Sequence, residues 1–215
     1  LGEANHSRQE LTRNSVDHAL QQMTTNDPMT TNDILVAADT SYHPGVVGLI
    51  AAKMVEKYSR PSLAISIGDQ VSRGSGRSVS GFDLTKYLRK YSQLFEKLGG
   101  HAMACGFSLP TSNLPKLAKV LSSAKIDEKL LIKSQRIDVE IPLSTINSEL
   151  YTRLQDFAPF GLGNPTPVFK SSKVTPANIK KVGSSGNHIK FKVDNLDCIW
   201  FNAGDMTKTS GDLVF

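Results

Sequence analysis

Ile34-Leu35-Val36-Ala37-Ala38, the segment Val46 to Tyr58, and the segment Ser62 to Ile67 are the pieces whose reading decides the fold of this chain. The first is a short continuous apolar run, which predicts a strand buried on both faces. The second sets Val47, Ile50, Ala51, Met54 and Val55 on one side of a helix. Arg60-Pro61 breaks that helix, and Ser62 to Ile67 is again an apolar run of strand length. Strand, helix and strand in that order predict a βαβ unit, and with it a parallel or mixed sheet.

Upstream, Leu11, Val16, Ala19, Leu20 and Met23 fall at helical spacing among polar residues, and Thr24-Thr25-Asn26-Asp27-Pro28 closes the helix. Downstream, Ser72-Arg73-Gly74-Ser75-Gly76-Arg77-Ser78 reads as a Gly/Ser-rich loop. A helix is predicted from about Asp83, a good N-cap, to Leu98, with Gly99-Gly100 as its stop. His101 to Leu109 reads as a strand of small residues, Leu114 to Ala124 as a further helix, and Lys125 to Lys133 as a polar linker. After Arg136 the pattern changes. Ile137-Asp138-Val139-Glu140-Ile141 alternates with period two, and a short helix is predicted over Ser144 to Phe157. The breaker-rich run from Pro159 to Pro167 must be an ordered loop. Short alternating segments follow at Val168–Val174, Ile179–Val182, His188–Val193 and Cys198–Phe201, with turns at Gly183-Ser184-Ser185-Gly186 and Asp194-Asn195. That spacing predicts a small barrel or sandwich.

Composition narrows the function classes. Two cysteines in 215 residues, Cys105 and Cys198, exclude a disulfide scaffold and a four-thiolate zinc site. The longest apolar run, Val46 to Val55, is interrupted by Lys53 and too short for a membrane span, and no signal pattern opens the chain. The expectation is a soluble, cytoplasmic chain with no membrane partner. The net charge of +5 is a mild tilt toward anionic partners, but its distribution is uneven. Val168 to Val193 holds Lys170, Lys173, Lys180, Lys181, Lys190 and Lys192 and no acid, and a second basic stretch runs from Lys53 to Lys97. Two such stretches favour nucleic acid. The opening at Leu1 and the closing run Leu213-Val214-Phe215 read as interior sequence, so a fragment of a longer protein is expected.

Three motifs could carry chemistry. Gly74-Ser75-Gly76-Arg77-Ser78 combines unhindered amides, hydroxyls and a guanidinium, which suits a phosphate; a hairpin tip with a solvated arginine is the plain alternative. Gly99-Gly100-His101 sets an imidazole beside the small residues Ala102 to Gly106, where a ligand can come close, although a lone histidine is more often structural. His43-Pro44-Gly45 precedes a helix N-terminus, a position open to anions and equally to capping or packing. No catalytic constellation stands out, and Asp17-His18 reads as helix surface. The residues read as a binder.

Together, His43-Pro44-Gly45-Val46-Val47-Gly48, Gly74-Ser75-Gly76-Arg77-Ser78 and Gly99-Gly100-His101-Ala102-Met103-Ala104 resemble the DHH-associated domain of the DHH phosphoesterase superfamily. Pro159-Phe160-Gly161-Leu162-Gly163-Asn164-Pro165, with Pro167 and Phe169, narrows the resemblance to the RecJ family of single-stranded-DNA-specific exonucleases. The resemblance implies an α/β domain with a mixed sheet, followed by a small β-barrel of the OB type that the chain ends too early to close. It divides the chain into the end of an inter-domain linker helix (1–25), a substrate-binding α/β domain (26–130) and an OB-fold-like domain (131–215). It implies the substrate-binding part of a 5′→3′ exonuclease of DNA repair and recombination. Ser75, Gly76 and Arg77 would hold the 5′-terminal phosphate, His101 would face the metal centre, and His43, Gly99 and Gly100 would line the cleft. Lys170, Lys173, Lys180, Lys181, Lys190 and Lys192 would grip the strand, with Phe169, Phe191 and Trp200 as the available stacking rings.

The resemblance further implies Mn2+ or Mg2+ held by the family's Asp-His-His domain, with no metal ligand in this chain, which alone would hydrolyse nothing. Single-stranded DNA is the implied partner, with a helicase and a single-strand-binding protein as companions. Two alternatives stand beside this reading. One is an oligonucleotide or cyclic-dinucleotide phosphodiesterase of the same superfamily, and the other a non-enzymatic single-strand-binding module.

Overall fold

A computed structural model describes residues 2–23, 32–161, 163–184, 186–203 and 210–215, with the side chains of the first helix described from residue 9 onward. The chain forms two compact units, Leu1–Lys133 and Ser134–Phe215.

The first unit is built on the βαβ element. Strand β1 (Leu35–Asp39) and strand β2 (Ser62–Ser66) pair in parallel, and helix α2 (Val47–Tyr58) joins them. Helix α1 (Gly2–Gln22) precedes them and packs on α2. The sheet continues antiparallel through β3 (Val71–Arg77), β5 (Ala104–Pro110) and β4 (Lys97–His101), in the order β1-β2-β3-β5-β4. One face carries Leu35, Ala37 and Ala64 against Ile50 and Met54 of α2 and Ala19 of α1. The other carries Val36, Leu63, Ile65, Phe107 and Leu109 under α3 (Leu84–Arg89) and α4 (Leu114–Ser122). Alternation along each strand produces this division, because successive side chains point to opposite faces. The apolar stripe meets the core at Val16, Ala19 and Leu20 of α1 and at Met23 just past its end, whereas Leu11 is exposed. The expected stop at Thr24 to Pro28 lies outside the described residues.

Several expectations are corrected. Ser72 to Arg77 is not a loop but lies in β3, the central strand of the sheet. Its glycines are there for packing: a Cβ on Gly74 would lie 2.2 Å from Cζ of Phe107, and one on Gly76 would lie 2.7 Å from Cys105 Sγ. The helix expected from Asp83 to Leu98 stops at Arg89 and gives way to a short 3-10 turn, Ser92–Leu94. Gly99-Gly100 is therefore no helix stop. With Lys97, Leu98 and His101 it forms the edge strand β4, entered by the hydrogen bond from Glu96 N–H to Ser108 O at 2.8 Å. The segment 125–133 is no solvated linker, since Ile126 is buried and Leu130 and Leu131 pack on the core.

In the second unit, β6 (Val139–Glu140) pairs parallel with β7 (Phe169–Val174), which pairs antiparallel with β11 (Gly211–Val214). A second three-stranded sheet runs β10 (Leu196–Trp200), β9 (His188–Val193), β8 (Ala177–Val182), all antiparallel. Val174, Ile189, Phe191 and Val193 form its core. Among the described residues the strands make two sheets rather than one closed ring of hydrogen bonds. The helix expected over Ser144 to Phe157 is shorter: α5 spans Ser148–Gln155, and the Asn147 side chain accepts from the Leu150 N–H at 2.9 Å. The proline-rich loop is ordered as expected. Gly161 and Asn164 exchange backbone hydrogen bonds of 2.8 and 3.1 Å, and the Asn164 amide donates to Phe157 O and Pro159 O. Leu162 of that loop and Ser185 of the later turn lie outside the described residues.

Candidate nucleic-acid interface

Directly opposed residues on neighbouring strands share a face, so the pairing register assembles side chains that are far apart in sequence. On the α2 side of the first sheet the register gives three rows. The first is Ser62, Arg77, Ala104, His101; the second Ala64, Ser75, Gly106, Gly99; the third Ser66, Arg73, Ser108, Lys97. Helices α1 and α2 cover β1 and β2. Over β5 and β4 the face is open: Gly99 and Gly106 are exposed, and among the described residues nothing lies within 4 Å of where a Cβ would stand on either. The result is a shelf on β3, β5 and β4 with a floor of small residues, bordered by Arg77 and His101 on one side and Arg73 and Lys97 on the other.

Local structure fixes the first row. Arg77 donates from Nη1 to the Gly76 carbonyl at 2.9 Å, which ties down one terminal nitrogen of the guanidinium. Gly48, in the first turn of α2, stands against it, since a Cβ there would lie 3.1 Å from Arg77 Nη2 and 3.6 Å from Ser75 Oγ. The loop that delivers Gly48 contains His43, whose Nδ1 accepts the Gly45 N–H at 3.0 Å. In the neutral ring the proton is then on Nε2, the outward nitrogen. His101 is exposed at the end of β4, but its backbone is anchored by the buried Thr85, which donates to His101 O at 2.6 Å. Leu84 N–H donates to Ala102 O and Ser78 N–H to Met103 O, which ties the same turn to α3 and to the end of β3.

The structure therefore brings Ser75, Arg77, Gly99 and His101 onto one face and sets His43 in the loop before the helix that touches Ser75 and Arg77. Gly76 and Gly100 point the other way. Gly76 faces Cys105, whose thiol is pushed up by burial, and its backbone lies in the central ladder, so the expected amide nest does not form. Gly100 has φ +141°, and a Cβ on it would lie 2.3 Å from Ala104 O, so glycine is required there by the backbone. The sequence placed Arg73 and Lys97 only in a basic stretch and Gly106 only in a run of small residues, and Ser108 carried no signal of its own. The signal was present as period-two alternation, Arg73-x-Ser75-x-Arg77 on one face against the core-facing Cys105-x-Phe107-x-Leu109.

Asp17-His18 is likewise more than helix surface: His18 Nδ1 lies 3.2 Å from the Tyr42 hydroxyl. Burial, with the Asp39 carboxylate nearby, pushes Tyr42 up to about 12. Asp39 itself is held low by hydrogen bonds from Ser41. Among the described residues no three His, Cys, Asp or Glu side chains gather to hold a metal ion, so the donors here do not fit a magnesium or manganese centre.

In the second unit the lysines divide. Lys190 and Lys192 project from the outer face of β9, alternating with the buried Ile189, Phe191 and Val193, and Lys180 stands opposite Lys190. Asp197 lies 3.7 Å from Lys190. Lys173 is exposed and sits at φ +58°; Lys181 is exposed, opposite Ile189. Lys170 is corrected to a structural tie. Its ammonium lies 2.9 Å from Asp212 and 3.7 Å from Glu140, and these carboxylates hold it above its ordinary value and Asp212 below. Phe169 and Phe191 are buried in packing and unavailable for stacking. Trp200 is 52% exposed and pairs with Ile189, on the face opposite Lys190.

Comparison with known proteins assigns both units. Residues 31–126 match the DHHA1 domain, and residues 137–214 match the RecJ OB domain. The chain is 28% identical to the single-stranded-DNA-specific exonuclease RecJ of Bacillus subtilis, over 96% of this chain and 27% of that protein. It is 32% identical to the Escherichia coli exonuclease of the same name, over 64% of this chain and 26% of that one. Among solved structures, Thermus thermophilus RecJ in complex with Mg2+ superposes with a TM-score of 0.80 at 22% identity, covering 99% of this chain and 33% of that chain. A manganese-bound exonuclease RecJ matches with a TM-score of 0.51 at 27% identity, covering 61% of this chain and 32% of that chain. The chain thus spans about a quarter to a third of the length of these relatives. No described helix is long and apolar enough to cross a membrane.

Proposed function

Because this chain belongs to the RecJ family, carrying its DHHA1 and OB domains, we propose that it is the strand-binding part of a 5′→3′ single-stranded-DNA exonuclease of repair and recombination. Arg77 and Ser75 hold the 5′-terminal phosphate. An arginine fork makes paired, charge-assisted bonds to phosphate oxygens, and the Ser75 hydroxyl adds a donor. His101, in the same row with only Ala104 between, reaches the adjoining phosphodiester, and His43 Nε2–H offers a donor from the α2 side. In the second unit Lys180, Lys190 and Lys192, which share one face of β8 and β9, bind the strand by charge, with Lys173 adding to it.

The observation that carries this reading is the uncovered glycine floor between cationic borders. Exposed glycine inside a strand has no packing reason to be glycine, and close approach of a ligand backbone is what it permits. A divalent metal, Mg2+ or Mn2+ as in the related structures, would supply activated water in the whole enzyme. The described residues do not fit such a centre, which supports the reading that another part of the enzyme supplies hydrolysis and that this chain alone degrades no DNA.

The test is fluorescence anisotropy of single-stranded oligonucleotides, with and without a 5′-phosphate, across a salt series. Affinity for both falls with salt, and the phosphorylated strand binds tighter. Arg77→Gln removes that preference and leaves the unphosphorylated strand bound as before. A wild-type chain indifferent to the terminal phosphate would overturn the assignment of Arg77.

A further inference from the structure

We propose that the third row, Arg73, Ser108 and Lys97, is a second phosphate subsite that takes an internal phosphodiester of the strand whose 5′ end lies at Arg77. The inference rests on the reading of the first row given above. The two outer rows share one construction: a guanidinium on β3, a small residue on β5, and a basic side chain on β4. In the third row the flanking side chains, Arg73 and Lys97, start two strands apart, about 10 Å, close enough for both to close on one phosphate between them. Ser108 adds a hydroxyl to the third row where the first has only the Ala104 methyl.

Arg73 and Lys97 are exposed, and among the described residues neither has an ion pair or a hydrogen-bond partner for its charge. Lys53, by contrast, is paired with Glu56 at 2.6 Å, and Lys170 is closed in by two carboxylates. The only acid in the third row is Asp39, at the far end on β1 with Ser66 between it and Arg73, and Ser41 already engages it. Between the two basic rows lies the floor of Ser75, Gly106 and Gly99, open above both glycines. Arg73 and Arg77 are four residues apart on one strand, about 13 Å. An extended strand laid along the floor therefore meets cations at its end and again farther in, with glycine between. This arrangement measures length: a mononucleotide fills one row and a short oligonucleotide fills both.

The test uses the whole 215-residue chain and 5′-phosphorylated thymidine oligonucleotides, one and three nucleotides long. Arg73→Gln/Lys97→Gln leaves mononucleotide affinity unchanged and weakens the trinucleotide about tenfold. Its log–log salt slope for the trinucleotide is shallower by about 0.7, one phosphate contact of a single strand. Lys116→Gln/Lys119→Gln removes the same charge from α4, on the opposite face of the sheet, and changes neither affinity. Trinucleotide affinity that survives in the Arg73/Lys97 variant, or falls equally in the α4 variant, overturns the second subsite whatever Arg77→Gln does. Wild-type indifference to the terminal phosphate instead overturns the reading of the first row, whatever the Arg73/Lys97 variant does.

Discussion

Glycine serves two opposite purposes in this sheet, and substitution separates them. Gly74 and Gly76 make room for core side chains, so Gly74→Ala drives a methyl into the Phe107 ring. Overpacking of that kind costs about 1–3 kcal/mol, to be read as a lower denaturant midpoint. Gly99 and Gly106 make room for nothing among the described residues. Gly99→Ala and Gly106→Ala should leave stability unchanged or raise it by about 0.5–1 kcal/mol, since alanine loses less backbone entropy on folding. The same two substitutions should weaken binding of single-stranded oligonucleotides by raising the floor. Stability and binding moving together at Gly99 would mean that this glycine serves the fold.

The strand β4 and the start of α3 act together as one positioning element. Gly100→Ala places a non-glycine residue at φ +141° with its Cβ against Ala104 O, so about 1–3 kcal/mol of stability should be lost in chemical denaturation. Thr85→Val removes the hydroxyl that holds His101 O, leaving a backbone acceptor without its donor, for about 1–2 kcal/mol. It should also weaken binding of the single strand with or without a 5′-phosphate, because His101 loses its anchor while Arg77 keeps its place. This element was the least legible in the sequence. The βαβ unit was plain because apolar runs and a helical stripe are local signals. Lys97-Leu98-Gly99-Gly100 looked like a helix tail and its stop, since only pairing with β5 makes it a strand. Ser72 to Ser78 looked like a loop because its glycines answer to Phe107, Cys105 and Leu84, outside the stretch itself. Arg77, Ser75 and His101 could be singled out from their motifs. Arg73, Lys97 and Ser108 could not, because a row across strands exists only once the register is known.

Across the whole molecule, the buried Tyr42 and the half-buried Tyr87 set an alkaline limit. Tyr42 and Tyr87 are both pushed up to about 12, chiefly by burial, from an ordinary 10.0. Each keeps its proton in the fold after the unfolded chain would have released it. Their contribution is therefore complete below pH 10 and is lost as pH rises toward 12. Urea midpoints measured over that range should fall, and fall less steeply in Tyr42→Phe and Tyr87→Phe. In acid the sign reverses for Asp138 and Asp212 of the second unit. Both are held low, Asp138 mainly by the Val168 N–H and Asp212 mainly by Lys170, so what they add is lost as pH drops through their depressed values. Asp212→Asn should flatten the acid limb of the same measurement.

The strand order carries one more consequence. Strands β2 and β3 are joined by a short connection and form one hairpin, and β4 and β5 form another across Ala102-Met103. The two meet along a single seam, the β3–β5 pairing. Arg73, Ser75 and Arg77 ride on one hairpin; Lys97, Gly99, Gly106 and His101 ride on the other. Neither hairpin alone carries a whole basic row, so the proposed phosphate subsites depend on the β3–β5 pairing. On that reading a phosphate bound across the seam would favour the paired hairpins over separated ones.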